Sequence, residues 1–194
     1  MSGIGFWPAW LFGAAVGWFA GWRLGLLAGF LLAAVYTDLV ARRIPNKLVF
    51  PGAVVGVLCS WLLPGGPGWL SALQGLGIGL AALLPLYLLR AMGAGDVKLM
   101  AMVGAFLGAG DILGAMLGTL VAGGVMSLAV VLRRRAMLQL IDNLKVMMVS
   151  GFSSLVMGQV PATEVPAASV GKLPYALAIA VGTFAYLVWQ RYWG

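Results

Sequence analysis

The sequence predicts an all-α polytopic membrane protein, a bundle of six to seven transmembrane helices. Three observations carry that prediction. Of 194 residues, 62% are hydrophobic and only 9% charged, whereas an ordinary soluble domain has about 25% charged residues. Mean hydropathy is +1.03. Apolar stretches approaching the roughly 20 residues that a helix needs to cross hydrocarbon recur along the whole length, with prolines, glycines and basic residues between them.

Seven stretches read as crossings: residues 6–22, 24–40, 48–63, 69–89, 97–110, 112–132 and 174–190. Only Arg23 separates the first from the second, so the pair is either a tight helical hairpin or one interfacial helix leading into a single span. Pro45 ends the second, because proline lacks an amide donor and disfavours helix in the residue before it. Pro64-Gly-Gly-Pro-Gly68 is a turn signal between the third and fourth. Residues 136–158 carry Gln139, Asp142, Asn143 and Lys145 among Leu, Ile, Met and Val, and read as an interfacial amphipathic element. A proline- and small-residue-rich loop at 159–169 precedes the last crossing. The expected organisation is one integral-membrane domain over 1–194, with 1–23 as an extra N-terminal hydrophobic element and 133–173 as a cytoplasmic or interfacial segment.

Charge sets orientation. With the Arg42/Arg43 loop in the cytoplasm, alternation also places Lys47, Arg90, Lys98, Arg133, Arg134, Arg135, Lys145 and Lys172 there, so that ten of the 12 basic residues obey the positive-inside rule. Arg23 and Arg191 fall outside. The formal charge of +7 is thus topogenic, and no basic run interleaved with aromatics points to nucleic acid. Membrane lipid is the expected surrounding.

Absences narrow the chemistry. There is no histidine, which excludes Ser-His-Asp and Cys-His nucleophiles and histidine-ligated zinc. The single cysteine, Cys59, allows neither an intrachain disulfide nor a Cys-x-x-Cys site. No metal site and no cofactor are expected.

Five acidic residues remain, and two stand at the edge of predicted crossings: Asp38, ahead of Arg42-Arg-Ile-Pro-Asn46, and Asp96, in Gly93-Ala-Gly95-Asp96-Val-Lys98-Leu99. An ionisable group at such a position is costly enough to suggest function. Alternation puts both at the cytoplasmic surface. A carboxylate pair can hydrolyse a peptide without metal or histidine: an ionised Asp takes a proton from water while its protonated partner donates to the carbonyl oxygen. Gly93 and Gly95 lack a β-carbon, so the backbone there can adopt positive φ and approach a substrate strand closely before helix resumes near Val97. Pro45 fixes the chain after Asp38, and Asn46 can cap a local turn. Taken singly, each acid has a plainer reading: Asp38 and Arg42 have the i,i+4 spacing of an ion pair, and Asp96 suits a helix N-cap. Gly108-Ala-Gly110-Asp111 repeats the short glycine-aspartate pattern, but on the opposite membrane side and without a lysine two residues on; Asp111 is expected to cap the helix that follows.

In combination these motifs resemble the type IV prepilin peptidase family, integral-membrane aspartic peptidases that remove short leaders from pilin-like precursors. Asp38 with Ile44-Pro45-Asn46 resembles the family's first aspartate motif, and Gly93, Gly95, Asp96, Lys98 and Leu99 its Gly-x-Gly-Asp-x-Lys-Leu motif. Lys172-Leu-Pro-Tyr175 with Ala178, Ile179 and Gly182 resembles the start of its final helix. The resemblance implies Asp38 and Asp96 as the catalytic pair, with Pro45, Asn46, Gly93, Gly95 and Lys98 supporting them or the substrate. It also implies a pilin-like precursor as partner, with a short basic leader, a glycine before the cut and a hydrophobic helix after it, and a bacterial inner-membrane location with the site toward the cytoplasm. Larger members carry paired cysteines in a cytoplasmic insertion and methylate the new N-terminus. Only Arg42 to Lys47 occupy that loop here, so the chain looks like the compact, peptidase-only branch associated with tight-adherence pili. Two other classes compete: a proton- or ion-coupled transporter, which wants its acids near the midplane, and a non-catalytic pilus assembly protein on the same scaffold.

Overall fold

A computed structural model describes residues 9–63, 66–88, 92–133, 145 and 175–193. They form helices α1 (Ala9–Ala41), α2 (Asn46–Leu62), α3 (Trp69–Leu88), α4 (Ala94–Leu107), α5 (Ala109–Arg133) and α6 (Tyr175–Trp193), with no strand among the described residues. The all-helical class is as expected. Between residues 9 and 41 the chain is one continuous helix of 33 residues that runs through Arg23, so no hairpin turn occurs there. The interfacial element and loop expected between 133 and 173 lie outside the described residues, save Arg133 at the end of α5 and Lys145.

Three helical segments are long and apolar enough to cross a bilayer: Gly21–Ala41, Trp69–Leu88 and Ala109–Arg133. The chain is a membrane protein. Trp22, Trp61, Trp69, Trp189 and Trp193 are exposed at helix positions where amphipathic rings anchor a protein in the headgroup layer.

At the centre lies the shortest helix. α4 has 14 residues, about 21 Å at 1.5 Å per residue, and everything from Leu99 to Leu107 is buried. Leu27 and Leu31 of α1, Val49 of α2, Leu83 of α3, Ile112 of α5 and Ile179 of α6 join Met100, Met102, Val103 and Phe106 in one core. The Phe30 and Phe106 rings tilt against each other with centroids 6.2 Å apart, and the Ser60 hydroxyl donates to the Ala105 carbonyl at 3.0 Å.

Small residues allow this. Lipid is as apolar as leucine, so helices associate in a membrane through close packing rather than through exclusion from water. Pairs of glycines four apart supply the surface: Gly52 and Gly56 of α2 face Met102 and Phe106, while Gly75 and Gly79 of α3 face the α4 backbone. A β-carbon at Gly79 would stand 2.7 Å from the Met100 carbonyl oxygen. Gly108 alone joins α4 to α5. Its φ of 83° lies where side chains are strained, and a β-carbon there would meet Ser71 Oγ at 2.7 Å. That same Ser71 hydroxyl accepts from the Ala109 amide at 3.1 Å and so serves a free N–H at the start of α5.

Candidate active site

Helix order alone brings the two acids to one end of the bundle. α1 ends just after Asp38, α2 and α3 form one traverse out and back, and α4 begins at Ala94 beside Asp96. Asp38 is half-buried and Asp96 only 9% exposed.

The Asp38 carboxylate is turned toward α6, where its Oδ2 accepts from the Ala176 backbone amide at 3.3 Å. Arg42 does not supply the partner its i,i+4 spacing suggested. It adopts a φ of 50° and ends the helix, its amide donating to the Asp38 carbonyl at 2.9 Å.

Asp96 sits at the third position of α4, not at its cap. Gly93 is the cap, in extended conformation with φ −75°, and its amide donates to Asp96 Oδ2 at 3.2 Å. Helix therefore begins three residues before the expected Val97, because the Asp96 side chain folds back and satisfies the amide that opens the turn. The positive φ open to Gly93 and Gly95 is adopted by neither. Their lack of side chains has another reason: a β-carbon on Gly93 would crowd Asp96 Oδ2 at 3.0 Å, and one on Gly95 would meet Ile44 Cβ at 3.1 Å. Gly95 is the surface on which the α1–α2 turn rests.

Lys98 makes a second tie between the same segments. Its Nζ donates to Asn46 Oδ1 at 3.0 Å and lies 5.6 Å from the centre of the Phe50 ring, a range at which a cation is attracted to an aromatic face. Asn46 is thus the first residue of α2 and a partner of Lys98. It caps nothing, since Pro45 occupies the cap position with φ −72° and no side chain serves the helix start.

Electrostatics distinguish Asp96. It precedes the stretch 97–110 read as a crossing, yet its carboxyl is pushed up from 3.8 to about 6, first by burial and then by the charge of Asp38, against the lowering effect of the Gly93 amide. Among described groups no cluster of three metal-binding side chains is present.

Asp111 belongs to the other end. It lies in the first turn of α5, but its carboxylate serves α6: Oδ1 accepts from the Tyr186 hydroxyl at 3.0 Å and from Gln190 Nε2 at 2.8 Å. The cap expected of it is an interhelical tie. The Ala176 amide and the Ile44–Gly95 contact were not read from the sequence; the only signal for the first was Pro174, a residue type that favours helix starts.

Comparison with known proteins gives one finding. The model of the type IV leader peptidase family matches residues 25–128, more than half of the chain and both aspartate motifs. No curated protein and no solved structure matches.

Proposed function

The chain belongs to the type IV leader peptidase family, and from that premise we propose that it is an aspartic endopeptidase of the membrane, in which Asp38 and Asp96 activate water to cut the short leader from pilin-like precursors. One observation carries the reading. Two acids 58 residues apart in sequence stand at one end of the bundle, near enough that the charge of one raises the pKa of the other. Like charges at short range resist joint ionisation, so such a pair keeps one proton over a wide pH range. That is the state needed to take a proton from water and give one to a carbonyl oxygen.

The supporting residues have physical duties in this reading. Gly95 and Ile44 set the separation of the two motifs, and Lys98 with Asn46 holds it. Pro45 starts α2 cleanly. A precursor with a basic leader and a hydrophobic helix suits a site at the membrane surface: the helix stays in lipid while the chain ahead of it unwinds toward water. The positive-inside count directs that end to the cytoplasm, with the protein in the bacterial inner membrane and residues 133–173 on the same side. A transporter would place its acids near the midplane, and here they share one end.

Purified protein in detergent, incubated with candidate prepilin-like precursors and read by mass spectrometry, tests the proposal. Asp38→Asn and Asp96→Asn should each lower cleavage by about 10²–10⁴-fold or more, the usual weight of a general acid or base, while both proteins still fold. Asp111→Asn should cleave almost normally. Full cleavage by either of the first two variants would falsify the catalytic pair.

A further inference from the structure

We propose that the two carboxylates have fixed and different duties, Asp38 as general base and Asp96 as general acid, and that the backbone N–H of Ala176 is the positioning group that sets this division. The inference rests on the leader-peptidase reading above and adds to it which acid performs which step.

Three features of the structure separate the acids. Ala176 is the second described residue of α6. Its N–H donates to Asp38 Oδ2 across the bundle. The bond holds that oxygen as an acceptor, in place to receive a proton from water. Exposure gives the second difference: Asp38 keeps part of its surface free, whereas Asp96 is only 9% exposed. The third is the surrounding charge. What acts on Asp96 is the Asp38 charge and the Gly93 amide; Lys98, two residues on, is turned to Asn46 of α2, and Arg42 at the end of α1 is exposed. The Asp96 carboxyl, pushed up to about 6, agrees with this geometry.

α6 is anchored along the bundle beyond its first turn. Gly182 packs on Gly118 and Thr119 of α5, the Tyr186 ring lies over Gly114, and Tyr186 and Gln190 both bond to Asp111 at the far end. The Ala176 side chain is completely buried. An anchored helix presents its amide without ordering cost when substrate arrives, which is what preorganised electrostatics requires.

With these duties the reaction balances. The Asp38 carboxylate takes one proton of the water as its oxygen bonds to the scissile carbonyl carbon, and Asp96 gives its proton to the carbonyl oxygen. On collapse, Asp38 passes its proton to the amine nitrogen as the C–N bond breaks. Asp96 takes one hydroxyl proton as the C=O bond reforms, and both acids return to their starting states.

Infrared difference spectroscopy of the purified protein at about pH 5, below the Asp96 value of about 6, reads the proton directly. The protonated-carboxyl band should be kept in Asp38→Asn and lost in Asp96→Asn; the opposite pattern overturns the assignment. This arm needs no activity. In the second arm, lactic acid incorporated at position 176 replaces the Ala176 amide by an ester and removes the N–H without adding bulk. Cleavage should fall by about 10- to 100-fold, the range for one hydrogen bond to a charged group, and the acid limb of the rate profile should move to higher pH with the basic limb in place. A shift of the basic limb alone overturns the proposal. Wild-type protein that cuts no leader at all removes the peptidase reading instead, and the infrared arm still reports which acid carries the proton.

Discussion

Asp96→Asn should make the protein more stable above pH 6, and the gain should vanish in acid. In the folded chain the Asp96 carboxyl is raised from 3.8 to about 6, by burial first and by Asp38 second. The sign follows from linkage. Between pH 3.8 and about 6 the folded state binds a proton that the unfolded state has released, so stability falls as pH rises through that window and stays reduced above it. The rise from 3.8 to about 6, at about 1.36 kcal/mol for each step of one in pKa, amounts to a penalty of about 3 kcal/mol. Asparagine carries no charge to bury, and its carbonyl oxygen can still accept from the Gly93 amide.

Unfolding of wild type and variant in detergent, followed by tryptophan fluorescence at pH 8 and pH 4, measures the difference. The variant should lead by up to about 3 kcal/mol at pH 8 and by little at pH 4. Asp38→Asn should recover a smaller part of the same penalty, because the Asp38 charge is the second cause and burial remains. A variant less stable than wild type at pH 8, or a gap indifferent to pH, refutes the reasoning, since either result means that ionised Asp96 is well accommodated.

Other consequences can be checked separately. Lys98→Met and Asn46→Ala each break the 3.0 Å bond between the motifs; each should slow leader cleavage several-fold, and a double-mutant cycle should give a coupling of about 1 kcal/mol. Gly79→Ala puts a β-carbon 2.7 Å from the Met100 carbonyl oxygen, a backbone atom that no rotamer change can move. Unfolding experiments should show a loss of about 1–3 kcal/mol, the usual cost of overpacking. Gly95→Val presses a branched side chain on Ile44, which lies 3.1 Å from the β-carbon position. It should impair cleavage more than Gly95→Ala while thermal unfolding of the two differs little.

The sequence made the bundle and the common end of the two acids legible for a simple reason. Helix polarity alternates at each crossing, so any two residues separated by an even number of crossings share a side, and Asp38 and Asp96 are separated by α2 and α3 alone. Proline placed the α2 start within two residues. Local backbone detail was not legible. Glycine signals freedom without saying whether it is used for positive φ or for contact, and at Gly93 and Gly95 it is contact that counts. Side-chain partners far apart in sequence were equally hidden: nothing near Asn46 indicates Lys98, and nothing near Asp111 indicates Tyr186 and Gln190 of α6. Arg42 was the obvious partner of Asp38 by spacing, but the left-handed turn it makes leaves the carboxylate to Ala176.

A short central helix explains why these distant ties are needed. At about 21 Å, α4 is shorter than the roughly 30 Å of hydrocarbon, and its neighbours α3 and α5 run to 20 and 25 residues. Its first turn carries Asp96, only 9% exposed, at the end of the bundle where α1 also ends. The price is that a lone carboxyl there has no solvent to fix its orientation. Three contacts supply what solvent does not: Gly93 bonds to Asp96 directly, Ile44 rests on Gly95, and Lys98 reaches Asn46. Asp38, on the longer α1, retains exposure and is fixed by α6 instead. Because the two acids depend on different neighbours, damage to one set of ties should alter one limb of the pH profile and spare the other. Loss of the Lys98–Asn46 bond should act on the Asp96 limb, and loss of the Ala176 amide on the Asp38 limb; a common shift of both limbs by either change would mean that the pair is held as a single unit.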